Sequence, residues 1–543
     1  MKSEYRGLLA VVLSVGVLAV WYTFIAPPPK PSPVSQPLDQ KTTQQETVLA
    51  KNEPKPEVLF PSNISTPSVV ERKGGQEVVL ENELVTVVLD TMGGIVKNWE
   101  LKKYLRNGGE AKPVTLADPD SAILELGLRG DDLKVPFPIP FQATKNNKTF
   151  VDLRWNSKEL VISKRLRLDP NSYRIFMEVE VENKGKNTIA FTPTMDWSKT
   201  SSEESPQRGV LFFKTPPDKW HPIYFKDGSL EILQSDNLSE QTLSGKTNWV
   251  GFESRYFLGG IVPTGKEASS LEIKGSLARL VLSQAQVLPG ERWIQKFDLY
   301  GGPKELERLK VIGSNLDRAI GYGWTTWVAV PILYLLQLFY KVVHNYGLAI
   351  IILTVLIKLL LNPINKKSLQ SMKGMQALQP RLKEIREKYG KDKERMNTET
   401  MQLFKAHKIN PMGGCLPMLL QIPIYIALYN VLWNSVELYH APFFWFYKDL
   451  SAPDPYLITP ILLGITMFIQ TKMTPSASAD PAQQKIMMIM PIMFSGFMIF
   501  LPMGLVVYIL VNTGMTILQQ WMYKNDIRFR DLLRGRLPAR NNA

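Results

Sequence analysis

Hydrophobic positions are unevenly spread along the chain. In MKSEYRGLLAVVLSVGVLAVWYTFIAPPPK about twenty mostly apolar residues follow Lys2 and Arg6, and long apolar runs return only after about residue 324. The stretch between them is polar and strand-like. The first run is longer than a signal-peptide core, and Trp21, Tyr22 and Phe24 stand where a cleavage site needs small residues. It therefore predicts an uncleaved anchor over 1–25 with a cytoplasmic N-terminus. Residues 26–57, rich in Pro, Gln, Thr and Lys, have little to bury and read as a flexible linker. From 58 to 312 the pattern becomes that of short strands. EVVLENELVTVVLD (77–90) mixes apolar runs with alternation, and SYRIFMEVEVENKGKNTIAF (172–191) alternates at Phe176, Val179 and Val181 before an Asn-Lys-Gly turn. This predicts a large all-β domain, a sandwich of long antiparallel sheets, on the far side of the membrane from the N-terminus.

The apolar runs of the second half predict the remaining spans. WTTWVAVPILYLLQLFYKVVHN (324–345) is long enough to cross a bilayer, but it contains Pro331, ends in Lys341 and His344, and is followed at once by the next run. Two spans with no loop between them do not fit, so 313–345 reads as a connector ending in an amphipathic helix at the outer interface. Transmembrane helix 2 then occupies 346–363. The segment 413–523 holds helices 3 to 6, at about 415–435, 456–473, 486–501 and 503–522. Six spans place both termini in the cytoplasm.

Charge agrees with that topology. The formal net charge of +14 is concentrated in two stretches that border apolar helices, roughly 364–410 and 524–540. The segment 364–412 carries twelve Lys or Arg residues from Lys366 to Lys408, whereas the 436–455 loop has only Lys448. Basic residues do not interleave with aromatics as in a nucleic-acid-binding motif, although contact with anionic lipid or ribosomal RNA is a second use open to the same charge. The 364–412 stretch reads as two helices on either side of Gly390, a basic hairpin with Pro380 near the start of the first, and 524–543 as a basic cytoplasmic tail. Cys415 is the only cysteine and the four histidines lack ligand spacing, which speaks against disulfides and a metal site. No cofactor is implied.

A lysine interrupts the run LAIIILTVLIKLLLNPINK (348–366). A charge at the centre of a span costs about 3 kcal/mol by insertion scales, so Lys358 either reaches for the interface or has water near it. Steps of four residues place Thr354, Lys358 and Asn362 one above another on a helix. Gln421 and Tyr425 are related in the same way, and Tyr508, Asn512, Thr516 and Gln519 run down the last span. Each stripe by itself fits interhelical hydrogen bonding, and Lys358 is close enough to Asn362 to snorkel outward. Three stripes together fit a shared hydrated cavity.

The stretch NPMGGCLPMLLQIPIYIALYNVL (410–432), preceded by the basic hairpin and followed by DPYLITPILLGITMFIQ (454–470), resembles the YidC/Oxa family of membrane protein insertases. The long insertion with NWVGFESRYFLGGIVP (248–263) is similar to the Gram-negative form. The resemblance covers essentially the whole chain. It implies an α-helical polytopic protein of the bacterial inner membrane, with six transmembrane helices, a five-helix insertase core and a periplasmic domain like a galactose-mutarotase supersandwich. It also implies a hydrophilic groove open to the cytoplasm and to lipid and closed toward the outside. The family's positive groove residue falls on Lys358, its polar neighbour on Thr354, a second polar groove position on Gln421 and a substrate-contacting face on Tyr508. Asn362, Tyr425 and Asn512 extend this candidate groove through the stripes. Many bacterial members carry arginine where this chain has Lys358, so a mechanism needing only positive charge is favoured over one needing a bidentate fork.

The function expected from the resemblance is insertion, and assistance in folding, of newly made inner-membrane proteins, alone or beside the Sec translocon. Expected partners are nascent membrane proteins, the Sec translocon and membrane lipids, with the ribosome and the signal-recognition receptor as candidates for the basic hairpin and tail. An enzyme is not expected: the chain has no GxxxxGK[ST] and no nucleophile-base-acid grouping. A solute or ion transporter with an intramembrane cationic site is the alternative that the lysine alone permits, though no inverted repeat is evident. An envelope sugar-binding enzyme would not need six spans.

Overall fold

The computed structural model describes residues 74–527 apart from 107–111, 118–120, 132, 200–208, 211–212, 215–218, 234–239, 266–267, 391, 408–415, 445–446, 475–480 and 526. The expected anchor and linker, the basic tail beyond Ile527, and the NPMGGC stretch lie outside the described residues. Arg381–Leu403 groups apart from the rest of the described chain as a separate compact unit.

The described elements of Glu77–Pro303 are all β strands, and every strand pairing among the described residues is antiparallel. One ladder runs through Gln142–Asn147, Phe150–Asn156, Leu160–Leu168, Arg174–Asn183, Arg292–Pro303 and Phe257–Thr264. The other links Glu77–Glu81, Val85–Asp90, Ile95–Leu105, Ile123–Arg129, Ile189–Ser198, Leu277–Leu282, Ala268–Lys274 and Gln241–Glu253. Gln241–Glu253 joins the two, since its Thr247 pairs with Ala268 and its Val250–Glu253 end pairs with Leu258–Ile261. Alternation sends one side of each strand inward. Arg292–Pro303 buries Trp293, Phe297 and Leu299 and turns Ile294 and Lys296 outward. On Arg174–Asn183 the buried face is Ile175, Met177, Val179 and Val181, so the expected parity holds for Val179 and Val181 but not for Phe176. Phe176 lies on the opposite face, where the guanidiniums of Arg174 and Arg167 stack over its ring at 4.4 and 5.1 Å. The core closes on fully buried Trp99, Trp197 and Trp249. Gly301 and Gly259 admit two of them: a Cβ there would lie 2.3 Å from Trp99 and 2.4 Å from Trp197.

After helix α1 (Leu306–Ile312) and two 3₁₀ turns come α2 (Thr326–Val343), α3 (Tyr346–Leu360), α4 (Asn362–Ala377), α5 (Gln379–Tyr389), α6 (Lys393–Ala406), α7 (Leu416–Asn434), α8 (Ile458–Met473), α9 (Pro481–Phe497) and α10 (Met503–Lys524). His344 in the left-handed conformation ends α2, and the Asn345 side chain caps α3 by accepting from the Leu348 N–H at 3.0 Å. Two departures from expectation appear here. The helix at the expected second span, α3, ends at Leu360 and turns by 58° into α4, so three helices, not two, follow between it and residue 406. The break at Leu361 comes just before Pro363, which is tolerated in the first turn of α4. Also, Gly323–Val343 and Met503–Lys524 are each long and apolar enough by composition to cross a membrane, so the expected interfacial helix is not marked out by polarity. α2 buries Ala329, Ile332, Leu333 and Leu336 and exposes the apolar Trp327, Leu338 and Val342.

In the bundle α10 packs against α3 and α8, α9 packs on α8, and α2 packs on α3 and α7. Burial is graded along it. Met503–Ile509 of α10 are all buried, and Leu510–Gln520 are largely half-buried. On α7, Ala427, Leu428, Val431 and Leu432 are buried while 421–426 are half-buried or exposed. The closed end is the one that meets the β domain. There the Arg255 Nε donates to the Trp433 carbonyl at 2.8 Å, with its guanidinium 3.8 Å from the Trp433 ring centre. The Tyr439 hydroxyl donates to the Leu105 carbonyl at 2.7 Å, and its ring lies 4.9 Å from that of Tyr256.

Candidate functional site

Helix α10 carries the polar chain of the bundle. Its residues Asn512, Thr516 and Gln519 fall at spacings of four and three and so share a face. Each meets a side chain from another helix. Lys358 of α3 is 3% exposed, and its ammonium donates to Thr516 Oγ1 at 2.9 Å. Thr516 in turn donates to the Asn512 carbonyl at 2.8 Å. Gln421 Nε2 of α7 donates to Asn512 Oδ1 at 2.7 Å, and Asn512 Nδ2 donates to the Tyr425 hydroxyl. Farther along, Asn365 Nδ2 of α4 reaches Gln519 Oε1 at 3.4 Å. The Tyr508 ring stands edge-on to Tyr425 at 5.4 Å, and its buried hydroxyl has no well-formed hydrogen bond, with Gln421 as its polar neighbour.

Thus Lys358, Gln421, Tyr425, Tyr508 and Asn512 come together around α10. Thr354 is buried on the same side of α3, but its hydroxyl is spent on its own helix, donating to the Ile350 carbonyl at 2.6 Å. Asn362 does not join them. It is exposed at the start of α4, because the chain bends before the helical stripe reaches it. The lysine is turned inward, bonded across to α10, and among the described residues no carboxylate forms an ion pair with it. A buried cation with a single neutral partner is poorly compensated, and its side of the bundle is the half-open one. Among the described residues no group of three or more His, Cys, Asp or Glu is placed to hold a metal ion.

Two positions escaped sequence reasoning. Arg255 and Asp454 tie down the closed end, and nothing in their local patterns separates Arg255 from other surface arginines. Asp454 had a signal, since an aspartate five residues before Thr459 precedes the apolar run of α8.

Two family models match. One, described as 60Kd inner membrane protein, covers residues 338–530, and the other, described as YidC periplasmic domain, covers 77–335. The membrane protein insertase YidC of Citrifermentans bemidjiense is 36% identical over 542 residues, spanning 96% of this chain and 99% of that protein. The chain belongs to the YidC family of membrane protein insertases. The YidC of Geobacter metallireducens is also 36% identical, over 95% of this chain and 97% of its own length. A crystal structure of an active YidC insertase with its first transmembrane domain resolved aligns over 82% of this chain at 18% identity and a TM-score of 0.37. The YidC relatives align along both the β domain and the helical bundle, including α3, α7 and α10.

Proposed function

We propose that the polar face of α10, with Lys358, Gln421, Tyr425, Tyr508 and Asn512, lines a groove hydrated from the cytoplasm that receives the polar tail of a membrane protein during insertion. The observation that carries this reading is Lys358: a buried ammonium, bonded among the described residues only to a hydroxyl, in the half of the bundle that is not sealed by apolar packing. Carrying a polar tail across roughly 30 Å of hydrocarbon is the physical obstacle, and water reaching partway in shortens the dry path. Lys358 attracts acidic groups of the tail. At 4 Å and an effective dielectric near 20 the attraction is about 4 kcal/mol before desolvation is subtracted, enough to hold a tail transiently. The apolar segment then leaves between helices into lipid, where its burial drives the step forward.

Contacts at the β-domain end support the topology we propose. The start of α2 is tied to α7 by Asn430 Nδ2 donating to Thr325 Oγ1 at 3.0 Å, near the outer end of that helix. After α2 ends, Asn345 Nδ2 donates to the Phe443 carbonyl in the loop that follows α7, at 2.6 Å. Both ends of α2 therefore sit at the same end of the bundle, which favours a helix lying along the outer interface over one crossing. With α3, α7, α8, α9 and α10 as five core spans and an N-terminal anchor, both termini are cytoplasmic and the β domain is periplasmic. The basic hairpin then lies where the ribosome, the signal-recognition receptor or anionic lipid can reach it, while the β domain serves as a scaffold toward the Sec translocon. No step needs a cofactor or bond-breaking chemistry.

The experiment is insertion of a single-span substrate with an acidic N-terminal tail into proteoliposomes carrying wild type or Lys358→Ala, scored by protease protection. The reading expects the substitution to slow insertion about tenfold or more, in line with loss of roughly 1.4 kcal/mol or more of tail attraction. Unchanged insertion by folded Lys358→Ala sinks it.

A further inference from the structure

A groove open at one end needs a barrier at the other, or ions would follow the substrate's path. The described residues 435–444 and 447–457 lie over the outer ends of four bundle helices and are stitched to three of them. To α10 they supply caps: the Met503 N–H donates to the Ala452 carbonyl at 2.8 Å and the Gly504 N–H to the Leu450 carbonyl at 2.9 Å, on a helix with no side-chain cap. To α3 they supply the Phe443 carbonyl that accepts from Asn345, and the Phe443 ring lies so close over Gly347 that a Cβ there would fall 1.9 Å from it. To α8 they supply Asp454.

Asp454 is 2% exposed and accepts four hydrogen bonds. The Thr459 N–H and hydroxyl reach Oδ2 at 2.7 and 2.8 Å, the Tyr447 hydroxyl reaches the same oxygen at 3.3 Å, and the Tyr456 N–H reaches Oδ1 at 2.9 Å. One carboxylate thus joins the first turn of α8 to two points of the overlying loop. Burial and the neighbouring carboxylate push the Tyr447 hydroxyl up to about 12, so it remains a donor at neutral pH. Beneath the loop, Ile350, Val431, Met503, Leu505, Val506 and Val507 are buried apolar side chains, and the polar chain begins below them at Tyr508.

From this arrangement we infer that the loop residues 435–444 and 447–457 are the permeability seal of the bundle's outer end, and that Asp454 is the positioning residue that keeps them seated. The inference rests on the cytoplasm-facing groove proposed above, since only an open groove requires a seal. Asp454 touches no substrate. Its removal leaves two backbone N–H groups and two hydroxyls without their acceptor at the joint, and the loop then loses its hold on α8 while keeping its bonds to α10.

The test uses the full chain with Cys415→Ser and Val506→Cys, reconstituted in liposomes, with a membrane-impermeant maleimide added on the β-domain side. Val506 lies in the buried apolar layer, so labelling is slow in this background. Asp454→Ala is expected to raise the labelling rate at least tenfold, and Asp454→Asn, which keeps one acceptor oxygen, less. Gly347→Leu reaches the same end by another route, wedging the Phe443 ring away while leaving Asp454 in place. Slow labelling in both Asp454→Ala and Gly347→Leu, in protein whose Tm shows it to be folded, overturns the inference, as does a lowered Tm with no change in labelling. If Asp454→Ala does not fold, Gly347→Leu and Phe443→Ala decide by the same readout. The outcomes separate from those of the groove test: normal insertion by Lys358→Ala would remove the groove, and unlabelled Val506 in the seal variants would remove only the seal.

Discussion

Asn512 is the residue on which α7 and α10 meet, and it gives the most quantitative test of the polar chain. Its carboxamide uses both ends, accepting from Gln421 and donating to Tyr425. Asn512→Leu keeps the volume and removes both bonds at once. Interhelical hydrogen bonds in membranes average about 0.6 kcal/mol and reach at most about 1.7, so the loss is about 1–3 kcal/mol. Gln421→Leu removes one of the two, so its loss is about half as large, and the double variant should fall short of the sum by the coupling of one bond, about 0.6 kcal/mol. Reversible unfolding in mixed micelles, followed by helical circular dichroism at increasing SDS fraction, gives all three values. Non-additivity of that size means that the two side chains hold each other directly in the resting state, and a substrate entering the groove must break the contact. A coupling of zero, with each single substitution still destabilising, would refute this reasoning. It would mean that water already satisfies both groups and that the 2.7 Å contact is not what joins α7 to α10.

Two further outcomes concern the β domain. Gly301→Ala drives a Cβ to within 2.3 Å of the fully buried Trp99 indole, which cannot swing away, so the domain should lose about 1–3 kcal/mol and its Tm should fall by several degrees; an unchanged Tm would contradict this packing. Lys164 is buried with its Nζ donating to the Gly94 and Leu124 carbonyls at 2.6 and 2.5 Å, two acceptors that match the two N–H groups of a neutral amine. Burial pulls its ammonium down to about 7, against an opposing pull from Glu125. An unfolded lysine titrates near 10.4, so between about pH 7 and 10 the unfolded chain holds more protons and stability should rise with pH. Urea midpoints read by tryptophan fluorescence at pH 7 and 9.5 should show that rise in wild type and lose it in Lys164→Met, and equal slopes would refute it.

Much of this architecture was readable because each element obeys one strong period. The switch from alternation before residue 303 to continuous apolar runs after 324 separates β domain from bundle, and the expected spans at 415–435, 456–473 and 503–522 correspond to α7, α8 and α10. The stripe on α10 was legible for the same reason, since a straight helix keeps residues four apart on one face. Asn362 was misplaced because that rule assumes the helix continues, and the bend at Leu361 breaks it. Phe176 shows the corresponding limit in strands: the expected alternation groups it with Val179 and Val181, but its even position puts it on the other face, where two arginines cover it. What no local pattern could show was long-range pairing. Lys358 meets Thr516 from 158 positions away and Arg255 meets Trp433 from 178, and such contacts depend on how elements pack, which periodicity does not encode.

The central claim is that Lys358 acts as a groove cation for substrate tails, and a charge exchange tests it most directly. Initial insertion rates of two single-span substrates, identical except for an acidic or a basic N-terminal tail, are measured by protease protection in proteoliposomes carrying wild type, Lys358→Arg or Lys358→Glu. The account predicts that wild type and Lys358→Arg favour the acidic tail and that Lys358→Glu reverses the order, with a ratio that shrinks as salt is raised. Identical tail preference in all three folded proteins would contradict it, and the work of insertion would then rest on the neutral polar groups of α7 and α10.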